Sequence, residues 1–280
     1  MPAMDYKTLL REIENIESLP TLPGILNKLL KVIENPRVSL KEIGSFISSD
    51  PVLTTRILRA VNSPIYGFPG RIATINQSLV LLGLNVVRGL LLGVSVFEAM
   101  KKAMAGLWEH SVGCATAARL IAQKIGLKEP EEVAVAALLH DIGKVILGLK
   151  FPQEYRQIRQ IVEKEQRFVL EGERDYFGVT HAEIGGWVAQ RWHFPPGLVE
   201  IIDCHHQPHL ARQAPLMTAI VHLSDILVRA RGFGYAGDPF VPALNPQAWE
   251  LLNLSDQDLR GILNELEDSL EMVVDFLVLE

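Results

Sequence analysis

The sequence predicts an all-α protein, a multi-helix bundle. Apolar residues recur at helical spacing throughout, helix-start signals mark one segment after another, and no stretch alternates with the period of two that a strand requires. With 280 residues, 48% hydrophobic and 21% charged, the chain can bury one large core or two modest ones and has no compositional reason for disorder.

From the N-terminus, the start signals come in order. Ser39 with Glu42, Thr74 with Gln77, and Thr180 with Glu183 read as capping boxes, in which the first residue accepts from an exposed backbone N–H and the fourth reaches back. Asp50 before Pro51 reads as an N-cap followed by proline at the first helical position, where a missing N–H costs nothing. Breaks are expected at Asn35-Pro36, Asn62-Ser63-Pro64, Phe68-Pro69-Gly70, Phe194-Pro195-Pro196 and from Gly232 to Pro242. Leu53, Ile57, Leu58, Leu79, Leu82 and Val86 predict an N-terminal bundle. The apolar run from Leu79 to Phe97 is interrupted by Asn85, Arg88 and three glycines, which predicts a buried helix pair rather than a membrane span. An apolar helix is expected from Glu131 to Leu147, and two helices after Asn245, the second capped by Ser255. The chain divides softly into residues 1–100, a helical subdomain without histidine; 101–235, which holds all eight histidines; and a helical tail, 236–280.

Bulk properties exclude some functions. A net charge of −6 and a pI near 5.8 argue against a nucleic-acid polymer as partner, because phosphate contacts need a basic face. Two cysteines, Cys114 and Cys204, are too few for a disulfide framework. With no apolar leader near the N-terminus, a cytoplasmic location away from membranes is expected.

One constellation carries chemistry. His140-Asp141 falls in the string Leu-Leu-His-Asp-Ile-Gly-Lys, and His110, His181, His205-His206 and Asp225 lie in further helical segments. A lone histidine on a helix is more often a satisfied core or surface residue than a ligand. The set together, beside small neighbours such as Ala136, Ala137, Gly185 and Gly186, favours a site, since burying that much unpaired imidazole is costly. Five histidines and two carboxylates suit Zn, Fe, Mn, Co or Ni, and could hold two divalent ions sharing one bridging aspartate. Such a pair would clamp a phosphoryl group and acidify water.

The pattern His110 … His140-Asp141-Ile142-Gly143-Lys144 … His181 … His205-His206 … Asp225 resembles the HD phosphohydrolases, especially their HD-GYP signalling branch. The first hundred residues resemble the HDOD family through Leu19-Pro20-Thr21-Leu22-Pro23, Ser49-Asp50-Pro51-Val52-Leu53-Thr54, Asn62-Ser63-Pro64-Ile65-Tyr66-Gly67 and Leu82-Gly83-Leu84-Asn85. Tyr176 through Gly185 and His205-His206-Gln207-Pro208 match as well, so the resemblance runs from about residue 15 to about 232. It implies an N-terminal HDOD subdomain packed on an HD-type helical domain. It also implies one metal held by His110, His140, Asp141 and Asp225, and a second held by Asp141 as bridge with His181, His205 and His206. Lys144 would face a bound phosphate; its other reading is a solvated helix lysine. His222, three residues before Asp225, reads as a supporting or packing residue, and His193 and His209 as solvated surface.

Three departures separate this chain from the enzymes it resembles. Gln207-Pro208 follows the histidine pair where HD-GYP proteins carry an acidic residue and then Gly-Tyr-Pro. Gly106 stands where some carry a glutamate for a third metal. HDOD proteins commonly lose metal ligands and act as regulatory or partner-binding modules, whereas this chain keeps them. The expectation is a signal-transduction protein with an intact di-metal site that engages a signalling partner, its input coming from elsewhere or from a small ligand. The alternatives are a metal-dependent phosphohydrolase acting on a nucleotide or other phosphate ester, with Asp141 and Lys144 as its catalytic residues, and a metal-free scaffold.

Overall fold

The computed structural model describes residues 4–14, 39–49, 51–63, 72–192 and 194–278. Among these, every regular element is helical and no strand occurs. The helices are α1 (Tyr6–Glu14), α2 (Leu40–Ser48), α3 (Pro51–Val61), α4 (Ile75–Ala103), α5 (Leu107–Lys124), α6 (Pro130–Leu139) and α7 (Ile142–Lys150). They continue with α8 (Pro152–Glu165), α9 (Val169–Phe177), α10 (His181–Arg191), α11 (Pro196–Cys204), a 3₁₀ turn (Pro208–Leu210), α12 (Pro215–Ala230), α13 (Pro246–Leu252) and α14 (Asp256–Val278).

The expected start signals operate with some differences of detail. Ser39 and Glu42 cap each other reciprocally, at 3.2 Å for Glu42 N–H to Ser39 Oγ and 2.7 Å for Ser39 N–H to Glu42 Oε2. Thr74 accepts from Gln77 N–H, but the Gln77 side chain reaches Ala73 N–H instead of the cap residue itself. Glu183 accepts from both the backbone N–H and the hydroxyl of Thr180. Ser255 starts α14 with Asp258 as its partner. Asn62 is a clip: its amide donates to the Leu58 and Ile72 carbonyls and accepts from Ile72 N–H, closing the end of α3. The readings at residues 19–23, 35–36, Asp50, 64–70 (Tyr66 included) and His193, and at the Leu53 side chain, lie outside the described residues.

The apolar stretch after Leu79 is a helix pair, because Gly83 takes φ 77° and ψ 168° and kinks α4 there. Leu79, Leu82, Val86 and Val87 are buried, whereas Val80 and Leu81 face outward. One apolar core joins Leu9, Ile43, Ile57 and Leu79 from the early helices to Leu107, Val112, Leu139 and Val145 of the histidine-bearing ones. A second core lies on the far side of α5, where Ala117, Ala118 and Ile121 meet Ala219, Ile220 and Leu223 of α12 and Leu252, Ile262 and Leu266 of the C-terminal helices. Helix α5 is thus covered on both faces, which is how it places a histidine deep inside the molecule.

The expected single helix from Glu131 to Leu147 is in fact two. Leu139 ends α6, Asp141 takes φ −95° and ψ 14°, and Ile142 begins α7. In an unbroken helix, adjacent side chains diverge by about 100° around the axis. The break lets His140 and Asp141 face the same hollow.

Candidate metal centre

Five parts of the fold converge on that hollow: α5 with His110, the α6–α7 break with His140 and Asp141, the first residue of α10 with His181, the end of α11 with His205 and His206, and α12 with Asp225. The approach of α7 to α10 depends on Gly143, where a Cβ would overlap the His181 carbonyl oxygen, so no larger residue allows this spacing. Gly106, at the start of α5, has φ 85°, and a side chain there would meet Tyr235 at under 3 Å. A glutamate could not occupy that position without moving the loop that carries Tyr235, whose N–H donates to the Gly106 carbonyl.

The donors form two groups, each with ligand atoms within 4.8 Å of one another: His110, Cys114, His140 and Asp225, and then Asp141, His181, His205 and His206. Asp141 stands between them. Its Oδ2 lies 3.6 Å from His110 Nε2 and 3.4 Å from His140 Nε2, while its Oδ1 lies 3.3 Å from His181 Nε2 and 3.8 Å from His205 Nε2. Asp225 Oδ1 is 3.2 Å from His110 Nε2. Every one of these side chains is at most 2% exposed, except His206, which is half-buried.

Supporting hydrogen bonds decide which ring nitrogens point inward. His140 Nδ1–H donates to the Ala137 carbonyl and His205 Nδ1–H to the Ile202 carbonyl, because a carbonyl can only accept. His181 Nδ1–H donates to Glu173 at 2.6 Å. Each of the three rings, when neutral, therefore presents an Nε2 lone pair to the hollow, as metal-ligating imidazoles do. His140 Nε2, His205 Nε2, Asp141 Oδ1 and Asp225 Oδ1 are buried there without a hydrogen-bond partner. His181 Nε2 and His206 Nε2 lie 2.9 Å apart, close enough to share a proton or to converge on one cation lying off the line between them. Each orphaned group costs about 1–3 kcal/mol. Four together rival the whole stability of a domain, about 5–15 kcal/mol. A bound cation would remove that cost, and the imidazole and carboxylate donors fit Zn, Fe, Mn, Co or Ni.

The protonation states agree with ligation. Burial, with neighbouring imidazoles adding to it, pushes His205 and His206 well below the ordinary histidine value, and burial lowers His140 too. Burial also opposes ionisation of Asp141, but His140, Lys144 and His181 overcome it and hold the carboxyl well below the usual range. Asp225 behaves likewise, with the His110 contact and Arg229 outweighing burial. His181 is the exception: burial lowers it, yet Glu173 and Asp141 carry it above the ordinary value.

Lys144 is neither solvated nor on the helix that leads up to His140. It lies in the first turn of the next helix and is 1% exposed, with Nζ 2.6 Å from Asp141 Oδ2. His222 supports the histidine pair by donating through Nδ1–H to the His205 carbonyl and accepting Asn245 N–H at Nε2, which ties the C-terminal segment to the site. His209 is exposed.

Two residues escaped the sequence reading. Glu173 is fully buried and accepts from His181 N–H, His181 Nδ1–H and the Tyr155 hydroxyl. Its signal was a lone acid in the buried stripe Val169, Gly172, Phe177 of α9. Cys114 lies 3.5 Å from His110 Nε2, four residues along the same helix, a spacing that places two side chains on one face.

An all-helical fold whose broken His-Asp helix meets histidines and an aspartate from four other helices defines a protein of the HD-superfamily type. The chain belongs to the HDOD family, whose domain profile matches residues 19–208. An uncharacterized protein of Treponema pallidum (strain Nichols) is 28% identical over 223 residues, 77% of this chain and 43% of that relative, so the chain spans less than half its length. A solved HDOD domain protein of unknown function from Geobacter sulfurreducens is 29% identical, with a TM-score of 0.70 and 97% of each chain covered. Two further structures share the fold. One, from Shewanella amazonensis SB2B, is named as a candidate phosphohydrolase (24% identical, TM-score 0.67, 93% and 96% covered). The other, from Marinobacter aquaeolei VT8, is named as a candidate signal transduction protein (18% identical, TM-score 0.72, 96% and 65% covered). Among the described residues, no helix is long and apolar enough to cross a membrane.

Proposed function

We propose that this protein is a signal-transduction module of the HDOD family in which a closed binuclear metal site holds five parts of the fold in one arrangement. The carrying observation is the pair of adjoining four-donor groups, the second of which includes Asp141, with unpartnered atoms inside and nearly complete burial outside. His110, His140 and Asp225 would hold one ion and His181, His205 and His206 the other, with Asp141 bridging. Metal that links several helices stabilises the fold by linkage and makes their arrangement depend on occupancy. The output would be a protein surface shaped by that arrangement and read by a signalling partner.

A second reading, hydrolysis of a nucleotide or other phosphate ester, is favoured by one feature, the Lys144 ammonium against Asp141. Bound cations would polarise a phosphoryl oxygen and acidify water. Lys144 would add positive charge toward the same oxygens, and a substrate would enter beside His206, the half-buried ligand.

The two readings separate in one experiment. Tag-free protein purified without oxygen is assayed for metal and then, beside Asp141→Ala, on a panel of phosphate esters and cyclic nucleotides. Metal in the wild type with equal background hydrolysis in both supports the signalling module. Hydrolysis that disappears in Asp141→Ala supports the enzyme, and a folded wild type without metal refutes both.

A further inference from the structure

Cys114 is a member of the first donor group, yet the ligand assignment of the preceding section gives it no role. It is fully buried on α5, one turn past His110 on the same helix face. Its sulfur and one donor atom each of His110, His140 and Asp225 lie within 4.8 Å of one another. Two of those atoms, His140 Nε2 and Asp225 Oδ1, are buried without a hydrogen-bond partner. A thiol–imidazole hydrogen bond would account for the 3.5 Å between Sγ and His110 Nε2, but it leaves both unpartnered atoms as they are. A shared ion accounts for all of it. With metal–nitrogen and metal–sulfur distances of about 2.0 and 2.3 Å at a tetrahedral angle, the two donors stand about 3.5 Å apart.

We infer that Cys114 is a thiolate ligand of the metal held by His110, His140 and Asp225. The inference rests on the metal reading of the preceding section and makes the two halves of the site chemically unequal. Apart from the shared Asp141, one half offers two imidazoles, a carboxylate and a soft sulfur; the other offers three imidazoles. Thiolate favours zinc or iron over magnesium or manganese, so the Cys114 half discriminates among ions that the other half accepts alike. On binding, the S–H bond breaks, the sulfur electron pair forms the bond to the metal, and one proton passes to solvent, with no change of oxidation state.

Cobalt(II) tests this directly, because thiolate-to-cobalt charge transfer absorbs strongly in the near ultraviolet whereas nitrogen and oxygen ligands give only weak visible bands. Tag-free chain stripped of metal is titrated with cobalt(II) without oxygen, under a phosphine reductant, as wild type, Cys114→Ser and Cys204→Ala. The strong band is expected in wild type and Cys204→Ala and is lost in Cys114→Ser, which still shows the weak bands of bound cobalt. Cobalt bound by the wild type without the strong band overturns the sulfur ligand and leaves the metal site standing. A folded wild type that binds no cobalt overturns the site and the ligand together. Should Cys114→Ser not fold, Cys204→Ala decides: the chain has two cysteines, so a band that persists there comes from Cys114, and one that vanishes refutes it.

Discussion

Replacing Glu173 with glutamine tests whether the environment of His181 sets metal affinity. The carboxylate takes three hydrogen bonds in full burial: 2.8 Å from His181 N–H, 2.6 Å from His181 Nδ1–H and 2.8 Å from the Tyr155 hydroxyl. Alanine would orphan all three donors at about 1–3 kcal/mol each. The sum, about 3–9 kcal/mol, approaches the stability of a whole domain, so that variant would report unfolding and nothing else. Glutamine is milder. With its carbonyl in the Oε2 position it keeps both bonds from His181 and turns its NH₂ toward the Tyr155 oxygen, which can accept. What is lost is the negative charge that makes the imidazole a stronger donor to metal. Loss of such a partner costs about 10–100-fold in affinity, or about 1.4–2.8 kcal/mol at 1.4 kcal/mol per tenfold. Calorimetric titration of stripped protein with zinc should show the weaker step weakened further or a second step displaced by that factor, while the half built on His110, His140 and Asp225 holds. Unchanged affinity at both steps would show that Glu173 only packs, and the account of His181 would be wrong.

Three more outcomes are expected. Stripping the metal should lower the melting temperature by on the order of 10 °C or more, since four re-exposed orphan atoms cost about 4–12 kcal/mol at roughly 2–4 °C per kcal/mol for a chain of this class; scanning calorimetry with and without chelator checks this. The metal-free protein should lose stability as pH falls below the ordinary histidine value of 6.5, because His205 and His206 are depressed in the folded state and the unfolded chain takes up protons first. Their contribution is complete above 6.5 and declines toward the folded values, so urea midpoints that stay flat from pH 8 to 5 would contradict it. Gly143→Ala should drive α7 and α10 apart, costing about 1–3 kcal/mol by overpacking and lowering metal content, which elemental analysis reads.

The helical class, the capping residues and the ligand strings were legible because each depends on residue type at short spacing. The helix break at His140-Asp141 was not, because Leu139, Ile142 and Val145 continue the apolar pattern across it and only the Asp141 dihedrals reveal the turn. Lys144 read as open to two roles because its burial depends on α10 packing over Gly143, a contact between segments nearly forty residues apart. Glu173 and Cys114 are single residues of ordinary type; their meaning comes from the partners that the fold brings to them. The resemblance of the His and Asp strings carried more than any periodicity could, since it linked segments far apart in the chain.

The central claim is that two ions occupy one buried hollow around Asp141. Native mass spectrometry of the tag-free protein, offered zinc, manganese, iron or cobalt in turn, measures it directly. The account predicts two ions per folded chain, with both weakened or lost in Asp141→Ala. A folded wild-type chain that takes up none of these ions, or an Asp141→Ala chain that holds two as firmly as the wild type, contradicts it.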